Sequence, residues 1–186
     1  MAGGAHVDHN SNKGVALLIA VLALFLALAE TGAKSQQTEA ISRNIEAANL
    51  WAFFQARTIR QTNVRTAAEQ AEIARLALPE AAHVHVTRQQ EAWRATAARW
   101  ESEPETGEGR RELAARARAA EEKRDRSLAA YHQYEIGSAA FQVGIVLASA
   151  SVITGVGLLA IAGGLLGVVG VGFAALGFFA PTLVHL

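Results

Sequence analysis

Histidines and carboxylates are the groups in this chain that could do chemistry, and the histidines come in two close sets. His83-Val84-His85 places two imidazoles two residues apart. On a strand both would lie on one side, and they could share a metal or haem iron; on a helix they diverge by about 160°. A second set, His6 and His9 around Asp8, has the composition of a divalent-metal tail. His132 stands alone, as a single axial ligand would, and His185 lies at the C-terminal end. The carboxylates are interleaved with arginines, as in Glu121-Glu122-Lys123-Arg124-Asp125-Arg126, which reads as a solvated helix face. Glu30 differs, because it ends an apolar run and Lys34 follows one turn later, so it marks either a membrane boundary or an ion site. No Gly-rich phosphate loop, nucleophile elbow or metalloprotease helix motif is present. Metal ligation by His83 and His85 is therefore a weak reading. The expectation is a non-enzymatic protein with no cofactor and no nucleic-acid partner.

What must position these groups is set by hydropathy. Residues 136–186 hold no Lys, Arg, Asp or Glu. About 20 mostly apolar residues cross a bilayer, so this stretch can cross twice. Gly163-Gly164 lies near its middle and suggests the turn, giving spans at 136–162 and 164–183. The eleven Leu, Val and Phe residues between Leu165 and Val184 favour the bilayer by about 5 kcal/mol on the insertion scale. Val15 to Ala29 is a second apolar run. Lys13, the length of the run and Ala27-Leu28-Ala29 also fit a cleavable signal peptide. With Met1 heading the chain, the expectation is a retained span at 14–33 behind a flexible polar tail at 1–13.

Charge separates the ends from the middle. Of 17 Lys and Arg, 16 lie between Lys34 and Arg126, and 15 of 17 acids lie between Glu39 and Glu135, with zero formal net charge overall. Cysteine is absent, which removes disulfides and thiolate chemistry. Lys34, Arg43, Lys123, Arg124 and Arg126 flank the charged region, so the positive-inside rule places residues 34–135 in the cytoplasm.

That region has no glycine from Ala33 to Thr106 and is rich in Ala, Gln, Glu and Arg, all of them helix-favouring except where Pro intervenes. Helices are predicted over 35–78, 80–101 and 110–135, with Pro79 and the segment 102–109 as breaks. Ile41, Ile45, Ala48, Ala52, Gln55 and Ile59 mark one face of the first. Val86, Trp93, Ala97 and Trp100 share a face of the second. In the third, Leu113, Ala117, Ala120, Arg124, Ser127, Tyr131, Tyr134, Ser138, Phe141 and Ile145 keep a three-four spacing into the next span. One continuous helix is predicted there. The fold class is all-α: three transmembrane helices, one N-terminal and two in a C-terminal hairpin, around a coiled-coil-like helical middle.

Each span carries small residues at helical spacing. The stripes are Ala16, Ala20, Ala23 and Ala27; Gly137, Ala140, Gly144, Ala148, Ser151 and Gly155; and Gly163, Gly167, Gly170, Ala174 and Gly177. Small residues let backbones approach, which drives association in lipid. They predict tight packing within a protomer or between protomers, and hence a homo-oligomer. Ser138, Gln142, Ser149, Ser151 and Thr154 could alternatively line a polar path.

The stretch Asn49-Leu50-Trp51-Ala52-Phe53-Phe54-Gln55-Ala56-Arg57-Thr58-Ile59-Arg60 resembles the signature of a bacterial membrane family known as domain of unknown function 4337. Its members are similar in plan, with an N-terminal span, a helical middle and a C-terminal pair of spans. The resemblance implies no activity. It makes Trp51, Phe54, Gln55, Ile59 and Arg60 candidates for a packing or contact surface, the first four packing and Arg60 pairing with a carboxylate. The reading is a self-associating structural or interaction protein of the bacterial inner membrane, a multi-pass partner of the lipid bilayer that presents a cytoplasmic helical module to a larger membrane complex. A subunit of a small oligomeric channel or transporter is the alternative, and a histidine-based redox accessory is a third.

Overall fold

The computed structural model describes residues 9–184. Four helices account for nearly all of them: α1 (His9–Arg75), α2 (Glu80–Glu101), α3 (Arg110–Thr154) and α4 (Gly157–Phe179). Among the described residues there is no strand. Helices α1, α3 and α4 are each long and apolar enough to cross a membrane. The chain divides into two compact units, one of residues up to Ile41 with those from Arg124 onward, the other Ser42–Lys123. His6, Asp8 and His185 lie outside the described residues, and with them the expected N-terminal metal cluster.

Helix α1 does not stop between the apolar run and the charged region, where separate helices at 14–33 and 35–78 were predicted. The local breakers are absorbed. The hydroxyls of Thr31 and Thr38 donate to the carbonyls of Ala27 and Lys34, four residues back. Gly32 is a contact residue, since a Cβ there would stand 3.0 Å from the Tyr134 ring. The helix gives way to turn structure at Leu76, before Pro79, which holds an extended conformation (φ −60°, ψ 145°) at the head of α2.

In the unit of Arg124 onward and the chain up to Ile41, α3 and α4 pack through the small residues. Gly144, Ala148, Ser151, Gly163, Gly167, Gly170 and Gly177 are buried, and Ala174 is half-buried. The backbones meet at Gly144 and Gly163, where a Cβ on Gly163 would lie 2.6 Å from the Gly144 carbonyl oxygen and one on Gly144 would lie 2.9 Å from that of Gly163. Phe141, fully buried, fills the space over Gly170 and stacks on Phe25 with ring centroids 5.9 Å apart. Leu22 of α1 fits against Gly144 and Gly167.

One expectation is corrected here. The turn of the hairpin falls at Gly155-Val156, not Gly163-Gly164. Gly155 has φ +71° and donates its N–H to the Ser151 carbonyl, a left-handed helix end that a residue without Cβ adopts freely. Gly155 thus leaves the packing stripe, and Gly163 moves from the loop into α4. The first alanine stripe is not used within the chain. Ala16, Ala20, Ala23 and Ala27 are exposed, while Leu18, Leu22, Leu26 and Ala29 face the core. A flat glycine surface on α4 has room for leucine knobs, so the larger residues of α1 turn inward.

In the unit of Ser42–Lys123, the core is Ala47, Leu50, Leu113, Ala117 and Ala120, with Trp51, Phe53 and Phe54 packed against it. The predicted apolar face of α1 is not the buried one. Ile45 and Ile59 are 56% and 62% exposed, and Ala48, Ala52 and Gln55 are exposed with them; Ile41, at the edge of the other unit, is 56% exposed. Helix α2 turns Ala97, buried, and Val86, Trp93 and Trp100, half-buried, to one face, as its spacing predicts. Two buried glutamines tie α1 to α2: Gln61 donates to the Ala97 carbonyl at 2.8 Å, and Gln90 donates to the Ala68 carbonyl at 3.0 Å. Both acceptors belong to alanines, whose small side chains leave the carbonyl reachable.

Replacing Gly163 by Val drives a branched side chain into the α3 backbone and is expected to destabilise the chain by about 1–3 kcal/mol. Gly172, with nothing within 4 Å of an added Cβ, is expected to accept Ala without loss. Unfolding of the full chain in mixed micelles against a denaturing detergent measures both.

Candidate functional site

The densest set of interacting polar side chains lies where α1, the end of α2 and the start of α3 meet in the unit of Ser42–Lys123. Trp51, Phe54, Thr58 and Gln61 follow at steps of three and four, which puts them on one side of α1. Trp51 Nε1 donates to Glu121 at 2.9 Å, and its ring meets Phe54 edge-on at 5.4 Å. The Arg110 guanidinium stands 5.0 Å from the Phe54 ring centroid, a cation–π contact. Arg110 also donates to the Thr58 hydroxyl (3.0 Å), the Gln61 amide oxygen (2.8 Å) and Glu101 (2.8 Å). Gln61 returns its amide hydrogens to Glu101 at 3.0 Å and to the Ala97 carbonyl. One arginine, one glutamine and one glutamate thus form a closed triangle of hydrogen bonds across three helical segments.

A second arginine holds the intervening loop. Arg57, 9% exposed, donates to Glu108 at 2.6 Å, lies 3.9 Å from Glu103 and stands over the Phe53 ring at 5.4 Å. Its Nε is buried without a partner. Glu112, in the first turn of α3, reaches back to accept from the Ser102 hydroxyl (2.6 Å) and the Glu103 N–H (3.1 Å). Hydrogen bonding from Gln61 holds the Glu101 carboxyl below the usual range against the opposing effect of burial, with Arg110 adding to the depression. For Glu112 the Ser102 hydroxyl is the main cause, followed by the Glu103 N–H. Both groups are therefore ionised acceptors at neutral pH and weak bases. The arrangement holds three chain segments together.

Of the motif residues, Trp51 and Phe54 pack as predicted, but Gln55 and Ile59 are exposed. Arg60 is also exposed, and among the described residues no carboxylate pairs with it; Arg57, one turn earlier, takes that role. Arg57, Gln61, Glu101 and Arg110 were missed from sequence. The signal available was the heptad-like spacing of Trp51, Phe54, Thr58 and Gln61, masked by the competing isoleucine stripe.

His83 and His85 both lie on α2; His83 Nε2 is 3.0 Å from the Leu78 carbonyl, and His85 is exposed. His132 lies 3.7 Å from Glu135. Among the described residues no three His, Cys, Asp or Glu side chains are grouped to hold a metal ion. In the other unit, Glu30 accepts from Gln142 at 3.3 Å, rather than pairing with Lys34. Of the second-span hydroxyls, Ser138 and Ser151 are buried and Thr154 donates to the Ala150 carbonyl.

The described residues define an all-helical protein with three membrane-compatible helices and a polar clasp built on the Trp51–Gln61 segment. The family model described as a domain of unknown function (DUF4337) matches residues 11–180, and the chain belongs to that family. No curated protein and no solved structure matches it.

Substituting Gln61 by Ala removes the centre of the triangle and is expected to cost about 1–3 kcal/mol, whereas Gln55→Ala and Arg60→Ala should stay within about 0.5 kcal/mol of the parent. Amide hydrogen exchange across residues 97–113 in the full chain reads the difference. The same measurement should show pH dependence. Because the folded Glu101 and Glu112 carboxyls lie below the ordinary value near 4.3, their stabilisation is present above that pH and lost as pH falls through the depressed values. Protection should be level from about pH 7 to 5 and fall below about 4.3, and Glu101→Gln should flatten part of that fall.

Proposed function

We propose that the protein is a non-enzymatic integral membrane protein of structural or interaction type. It self-associates in the bacterial inner membrane, with the helical region between the first two spans, coiled-coil-like in character, on the cytoplasmic side as a docking module for a larger membrane complex. The observation that carries this reading is the state of the helix faces. The small faces of α3 and α4 are occupied within the chain. On α1, by contrast, Ala16, Ala20, Ala23 and Ala27 are exposed, as are Ile45 and Ile59. In hydrocarbon a small-residue face supports close helix association, and exposed isoleucines at helical spacing gain by being covered. The basic residues flanking the charged region support the cytoplasmic orientation. In the clasp, the polar groups are engaged with one another, which suits a rigid module better than a reaction site.

The chain has no cysteine, so single replacements report cleanly. Ala20→Cys and Ile45→Cys are each expected to form disulfide-linked dimers in membranes, and native mass spectrometry of the gently extracted protein should show a defined homo-oligomer. Monomer alone, with neither cysteine cross-linking, defeats the self-association. The alternative, a small oligomeric channel with Glu30 on its path, requires a closed ring of at least three copies in the same spectrum.

A further inference from the structure

At the Glu30 end of α1's apolar stretch, α1 and α3 enclose an open groove of about 500 Å³ whose lining includes Glu30, Lys34, Tyr131, Glu135, Ser138 and Gln142. Its level in the chain is defined twice. Glu30 is the first charge after the apolar run of Val15–Ala29, and Glu135 is the last before the uncharged stretch of 136–186. Two helices thus lose their charges at the same groove, which is where lipid headgroups lie if these helices span a bilayer.

The groove's polar atoms are only partly used. Gln142 donates to one oxygen of Glu30, and Tyr131 donates to Glu135 at 3.1 Å, with His132 at 3.7 Å from the other Glu135 oxygen. The second Glu30 oxygen has no partner among the described residues, and neither has the Lys34 ammonium. Ser138 is 7% exposed and its Oγ makes no hydrogen bond. Two carboxylates against one ammonium give the groove an excess negative charge, which favours a cation and opposes an anion alone. Lys34, on the rim, is a point partner for a phosphate.

We propose that this groove binds the headgroup of a zwitterionic phospholipid bearing a primary ammonium, such as phosphatidylethanolamine. The ammonium donates to the Glu30 and Glu135 carboxylates, and the phosphate meets Lys34. A trimethylated ammonium has no N–H to donate, so a choline headgroup keeps the charge and loses the hydrogen bonds. An anionic glycerol headgroup meets two like charges. The site rests on α1 and α3 spanning the membrane, as proposed above.

The test is to reconstitute the full chain in bilayers of equal phosphatidylethanolamine, phosphatidylcholine and phosphatidylglycerol with identical acyl chains, extract it gently and weigh the retained lipid by native mass spectrometry. Charge-assisted hydrogen bonds to an ammonium predict ethanolamine lipid enriched about tenfold over choline lipid. The double variant Glu30→Gln/Glu135→Gln should bring the ratio near one, and Lys34→Gln, which removes a contact to the phosphate that both lipids carry, should lower the total lipid retained and leave the ratio unchanged. Glu69→Gln, at an exposed position in the other unit, should leave it unchanged. Choline or glycerol lipid retained as strongly as ethanolamine lipid overturns the proposal, as does enrichment that survives the double variant in a chain of unchanged helicity. Soluble phosphoethanolamine that is bound in place of any lipid also overturns it. A chain that enters liposomes without headgroup preference removes the site and keeps the membrane reading, whereas one that stays out of liposomes removes both.

Discussion

Two helices can lie close along their length only where both present little bulk, and α3 shows what that constraint does. Its inward positions include Ala117, Ala120, Ala130, Gly137, Gly144 and Ala148, all buried. In one unit the small face admits Leu50 and the rings of Trp51 and Phe54 from α1; in the other it brings the α4 backbone within reach of its own at Gly144 and Gly163. Dispersion contacts fall off steeply with distance, so each small residue contributes through what its absence of bulk lets neighbours touch. Phe141 and Leu113, fully buried, are the exceptions that fill what remains.

Polar groups are treated differently in the two units. In Ser42–Lys123 the charged and amide side chains at the helix junction satisfy one another apart from the Arg57 Nε, and a buried network is favourable only when nearly every member is paired. Arg110 illustrates the economy of a planar guanidinium: its N–H groups reach a hydroxyl, an amide and a carboxylate while its face rests on an aromatic ring. The groove at Glu30 is the contrary case, with open carboxylate and ammonium groups at the level where apolar sequence begins. Satisfied polar groups stiffen a fold, whereas unsatisfied ones stay available to other partners.

Membership in the DUF4337 family covers residues 11–180, so it takes in both units. The stretch that prompted the resemblance, Asn49–Arg60, has a physical role here: it supplies Trp51, Phe54, Arg57 and Thr58 to the clasp. That role is architectural.

Helix content, the breaks at Pro79 and 102–109, the unbroken α3 and the membrane-compatible character of three helices were all determined by local sequence. Each follows from composition, from proline and glycine chemistry or from 3.6-residue periodicity, and these act within a few residues of one another. Which face of α1 turns inward was decided by its neighbours. Ile41, Ile45 and Ile59 make the more obvious stripe, yet Ala47, Leu50, Arg57 and Gln61 are buried, because α2 and α3 supply partners for an arginine and a glutamine that no local pattern reveals. The hairpin turn followed the same logic. Gly155 and Gly163 are equally able to turn a chain, and only the close contact of Gly163 with the Gly144 backbone required that Gly163 stay helical and Gly155 take the left-handed conformation. A side chain's type sets what it can do locally, but its partner is chosen by distance in space, which the order of residues does not contain.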